Sequence, residues 1–70
     1  MSVRDLERMA NQIAANQRHL PHEAAAAVVA KHIASFWTPT MRRELAEAVE
    51  AGSVTLNEVA LRAAHQLQPV

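Results

Sequence analysis

The chain contains no cysteine, a single glycine, three prolines and only two aromatic residues, Phe36 and Trp37. Without thiols it cannot be stapled by disulfides, and thiolate zinc and iron–sulfur sites are excluded. One glycine, Gly52, cannot build a phosphate-cradling loop. No apolar run approaches the ~18 residues of a membrane span, because Ala24–Ala30 stops at Lys31 and His32. Charge of one sign is also missing. Seven basic and seven acidic residues are interspersed and the formal net charge is zero, so neither nucleic acid nor a membrane surface is an expected partner. The first eight residues lack the apolar stretch of a secretion signal, and a cytoplasmic protein is expected.

What is present is alanine. Half of the 70 residues are apolar, and 15 of these are Ala. A buried Ala methyl contributes roughly 0.8 kcal/mol against about 1.5–3 kcal/mol for a buried Leu, Ile or Phe, so the apolar fraction overstates the core. Leu, Ile, Val and Phe together number 16, enough with zero net charge to lie outside the disordered class. The length allows a single domain over residues 1–70, stable by a thin margin.

The apolar residues recur at helical spacing throughout, and no alternating strand pattern or hairpin signal occurs. Ser2 with Asp5 reads as a capping box ahead of Val3, Leu6, Met9, Ala10 and Ile13, predicting a first helix over residues 3–18. Pro21 interrupts it and opens a second helix over 21–37 as a first-turn residue. In that helix Ala25, Val29, His32, Ile33 and Phe36 form one stripe, widened by Ala26, Val28 and Trp37, while Ala24, Ala27 and Ala34 lie on the other side. A helix apolar around most of its circumference is expected to be central. Thr38 followed by Pro39 restarts a third helix over 39–51, which Gly52 ends in a left-handed conformation. Thr55 with Glu58 reads as a second capping box before a fourth helix over 56–67. The fold class is therefore all-α, a small bundle of four short helices.

No catalytic, cofactor-binding or metal-binding set can be assembled. His19 and His22 are separated by Pro21 and have no third ligand at useful spacing, and His32 reads as a core-edge imidazole. Ser2, Thr38 and Thr55 are accounted for as helix-start residues, and Glu44, Glu47 and Glu50 as a solvated face. Arg42 and Arg43 could contact phosphate, but those three carboxylates follow in the same helix and repel it.

Two segments stand out. In Met9-Ala10-Asn11-Gln12-Ile13, Asn11 projects about 140° from the Leu6/Ile13 stripe and is either a tolerated surface residue or a hydrogen-bonding contact for a partner. In Phe36-Trp37-Thr38-Pro39-Thr40-Met41-Arg42, both aromatics flank a helix break, either as a core plug or as an interface anchor.

Together with His32 and the spacing to Gly52, these blocks resemble the small delta subunit of NAD-dependent formate dehydrogenase, a resemblance running from about Leu6 to Leu67. The chain departs from the family pattern at Ala15-Asn16-Gln17, where aromatics are common, and in the Ala-rich run Ala24–Ala30. The resemblance implies an accessory, non-enzymatic subunit with no cofactor of its own. Its partner would be the large catalytic subunit of a complex holding a molybdenum or tungsten pterin, iron–sulfur clusters, flavin and NAD. The role implied is stabilising that complex or supporting cofactor maturation. A transient assembly chaperone and a small DNA-binding regulator are the rival readings. The expected partner interface is Asn11, Gln12, Trp37, Pro39, Met41 and Arg42, with Trp37 filling a partner pocket and Asn11 and Arg42 fixing orientation. The isolated chain is expected to be modestly stable or a homodimer, because the alanine side of the second helix invites another backbone.

Overall fold

The computed structural model describes residues 2–67, which form four helices: α1 (Val3–Ala15), α2 (His22–Phe36), α3 (Pro39–Ala51) and α4 (Glu58–Leu67). Among the described residues there is no strand, and no helix is long and apolar enough to cross a membrane.

The helix starts and stops show local chemistry at work. The Ser2 hydroxyl accepts from the Asp5 backbone N–H at 3.2 Å, and the Asp5 carboxylate accepts from the Ser2 N–H at 3.1 Å, closing the expected capping box. The Thr38 hydroxyl accepts from the Met41 N–H at 3.2 Å with Pro39 in the first turn, so α3 begins where the sequence places it. It ends at Gly52, whose φ of 71° is left-handed. There the Ser53 N–H reaches the Ala48 carbonyl and the Gly52 N–H that of Val49, the paired bonds of a Schellman ending.

Four boundaries differ from expectation, one of them the end of α2, at Phe36 instead of residue 37. Helix α1 stops at Ala15 instead of residue 18, because Asn16 caps it and tighter turns follow, with Gln17 N–H on the Ala14 carbonyl and Leu20 N–H on that of Gln17. Pro21 has ψ of 151° and stands before α2 as its cap residue, so the helix proper begins at His22. Most consequential is α4. Thr55 does not cap it. Asn57 does, its side-chain carbonyl accepting from the Ala60 N–H at 2.8 Å, and Leu56 packs against the core from the preceding segment.

The core is built largely of alanine. Nine of the 15 alanines are buried, and the larger fully or nearly buried side chains are Leu6, Val29, Ile33, Trp37 and Leu45. The most extensive pairing is between α2 and α4, where Ala25, Ala26, Val29, Ala30 and Ile33 are buried on one helix and Ala60, Ala63 and Ala64 on the other. Small side chains on both partners let the two helix backbones come close, and that proximity compensates for their limited apolar area. The two helices begin side by side, with His22 Nδ1 3.0 Å from Glu58 Oε2 and Arg62 donating to the same oxygen at 2.8 Å. Helix α2 packs mainly on α4 and α1, while α1 and α4 each pack against all three other helices. Ala24, Ala27, Val28 and Ala34 consequently remain exposed on the outside of α2, so that helix is less central than its composition suggests.

The two aromatics part company. Trp37 is buried at the end of α2, whereas Phe36, assigned by periodicity to the same stripe, is 75% exposed. Trp37 leaves the helix with φ −89° and ψ 145°, and this extended residue turns the indole inward while Phe36, still helical, points out.

Candidate partner-binding surface

The outward turn of Phe36 creates a groove where the C-terminal end of α2 meets α1 and the start of α3. It has a volume of about 570 Å³. Met9, Gln12 and Ile13 contribute from α1, His32 and Phe36 from α2, and Met41 from α3, with the buried Trp37 beneath. The His32 and Phe36 rings lie 4.8 Å apart at 40°, so His32 supports the exposed aromatic and is itself exposed, not a core-edge group. Arg8 closes one side, its guanidinium donating to Asp5 at 3.3 Å. Such a groove, with one large exposed aromatic and flexible methionines, suits an apolar partner segment.

The structure separates the six expected interface residues into three places. Gln12, Trp37 and Met41 line this groove together, but Trp37 is 5% exposed and serves as floor. Its ring fills the pocket of its own chain, which corrects the expectation that it enters a partner. Pro39 and Arg42 line a different recess between α3 and α4. Asn11 faces neither. Its side-chain NH₂ donates to the Thr55 carbonyl at 3.0 Å, its side-chain oxygen accepts from the Asn57 N–H at 2.8 Å, and its backbone carbonyl accepts from the Asn57 side chain at 3.3 Å. Asn11 thus clasps the segment leading into α4, a role that neither the surface reading nor the partner-contact reading of this residue anticipates.

Glu7, one turn earlier on α1, extends that clasp. Its carboxylate accepts from the Thr55 backbone N–H at 2.6 Å and from Arg4 at 2.9 Å. The Thr55 N–H first, and Arg4 second, hold the Glu7 carboxyl below its usual range. The same direction holds for Asp5, through the Ser2 backbone and hydroxyl, and for Glu58, through His22 and then Arg62.

Phe36, Ile13 and Met9 are groove residues that the helical pattern assigns to the core without distinction. The available signal is the Thr38-Pro39 restart: Pro39 holds Thr38 in extended geometry, the chain leaves α2 at Trp37, and the neighbouring rings then face opposite ways. Among the described residues no group of three or more His, Asp or Glu is placed to hold a metal ion.

A family model described as NADH-dependent formate dehydrogenase delta subunit FdsD matches residues 5–64 of the 70-residue chain. The match takes in α2, α3 and most of α1 and α4, with the clasp, the groove and the buried alanines of α2 and α4 inside it. No curated protein and no solved structure matches the chain.

Proposed function

Since the chain belongs to the delta-subunit family of NADH-dependent formate dehydrogenase, we propose that it is a non-catalytic accessory subunit that docks on the large formate-oxidising subunit through the Phe36 groove. The observation that carries the reading is the 75% exposure of Phe36 beside a groove otherwise lined mainly by Met9, Ile13, Met41 and the Trp37 floor. A large aromatic left in water at the meeting point of three helices supplies little to this fold and much to an interface, where aromatic anchors dominate the binding energy. Gln12 and Met41 stay in the proposed contact, and Phe36 replaces Trp37 as its anchor.

The redox groups of such a complex belong to its other chains in this reading. The sequence has no cysteine with which to ligate an iron–sulfur cluster. The chain's contribution is then mechanical: covering apolar surface on the catalytic subunit and holding it in a conformation that accepts or retains its cofactor. In return, docking adds apolar contacts to a domain whose own core is mostly alanine.

Co-purification with the other formate dehydrogenase subunits tests this. Phe36→Ala removes no buried contact of the fold and is expected to weaken association about tenfold or more, the scale of an aromatic anchor. Retention of Phe36→Ala at the wild-type level would reject the groove as the docking site. Stoichiometric presence of the chain in active enzyme supports a resident subunit, and its loss on maturation supports an assembly factor.

A further inference from the structure

A second recess, about 450 Å³ in volume, opens between α3 and α4 on another side of α3. Its apolar part is Leu45 and Ala46 from α3 with Ala64 and Leu67 from α4. The start of α3 supplies the rest, and there Arg42 and Arg43 stand together on the rim.

The charge layout says what fits. Arg4, Arg8 and Arg62 each hold a carboxylate of their own chain. Arg42 and Arg43 make no ion pair and no side-chain hydrogen bond among the described residues. Among the described residues no carboxylate lines the recess: Glu44 and Glu47 lie around the helix in a separate hollow with Arg4 and Ser53. Glu50 lies two turns beyond Arg43, so this side of α3 is positive at its beginning and negative at its end. The dipole of α3, positive at its start, adds to that pole. A purely ionic ligand would leave the apolar floor unused, and an uncharged one would leave two guanidiniums unmatched.

We infer that this cleft receives a partner-subunit segment that places a Leu- or Phe-like side chain on the Leu45–Ala64 floor and an Asp or Glu carboxylate on Arg42 and Arg43. The inference rests on the docked-subunit reading above and adds a second, chemically distinct contact to the Phe36 groove. Arg42 and Pro39, which the groove leaves out, become part of this contact.

The test places a photo-cross-linking residue at position 46 and, in a separate preparation, at position 36 of the chain within the intact formate dehydrogenase complex. Cross-linked peptides are then identified by mass spectrometry. The expected product from position 46 is a peptide of another subunit in which an acidic residue adjoins a large apolar one. Replacing both arginines (Arg42→Gln, Arg43→Gln) is expected to weaken binding about tenfold or more and to flatten its dependence on salt. Three results would overturn the cleft assignment while leaving the docking reading intact, provided position 36 still captures a subunit. These are capture of a second copy of this chain or of nucleic acid from position 46, capture of a peptide without an acidic residue, and wild-type affinity for the Arg42/Arg43 double variant. Failure of the unsubstituted chain to co-purify with any other subunit rejects the docking reading and the cleft with it.

Discussion

Asn11 on α1 holds the backbone N–H of Asn57 at 2.8 Å, and Asn57 in turn caps α4 through the Ala60 N–H at the same distance. A helix start is therefore anchored by a side chain 46 residues earlier. The polar face of α1 does this with two residues one turn apart, since Glu7 takes the Thr55 N–H that Asn11 leaves over. Asn11→Ala removes both side-chain bonds to this segment, and its partner groups must find water. A loss of about 1–2 kcal/mol is expected, read as a fall in Tm of roughly 4–15 °C for a domain of this size. Asn11→Asp keeps the acceptor for Asn57 and should fall between the two.

Acid should loosen the same region. Glu7, Asp5 and Glu58 all have carboxyls held below their usual range in the folded chain. A lowered folded value stabilises at pH above the unfolded carboxylate range and is lost as pH falls through the folded value. Stability is expected to be level near neutrality and to decline from about pH 5 downward. Glu7→Gln should make that decline shallower, as followed by circular dichroism in urea at successive pH values.

Phe36 and Trp37, adjacent in sequence, should respond in opposite ways. Trp37→Ala empties the largest side chain from a core with few large members and is expected to cost about 3–5 kcal/mol, enough to unfold a small domain. Phe36→Ala should change stability by no more than about 0.5 kcal/mol. Chemical denaturation of the isolated chain separates them. Loss of partner binding on Trp37→Ala would therefore report unfolding, while the same loss on Phe36→Ala would report the interface.

The alanines divide by location in the same manner. Ala63 is buried in α4, which packs closely on α2, so Ala63→Leu should force the pair apart and cost about 1–3 kcal/mol. Ala27, on the exposed side of α2, should accept Leu with little change in denaturation midpoint.

The contrast between legible and illegible features follows their range. The Ser2–Asp5 box, the Thr38-Pro39 start and the Gly52 stop are decided within four or five residues, and each forms as its local chemistry dictates. The fold class follows from spacing of the same range. The Thr55–Glu58 box looks equally good locally, yet it yields to Glu7 and Asn11, which capture Thr55 and Asn57 from another helix. Nothing between residues 53 and 58 announces that competition. The site residues fared likewise: Gln12 and Met41 sit where a partner could meet them, but the inward turn of Trp37 and the clasp formed by Asn11 depend on contacts no periodicity encodes.

The α2–α4 pairing has a kinetic consequence. Each helix is local, but the alanine surfaces of α2 find their complement only after α3 and its connection have been traversed. Closing that loop must precede the reward of burial, so folding should be slower than the helix content suggests and should have a late, compact transition state. Until that closure, the helix with the most alanine stands uncovered along two sides.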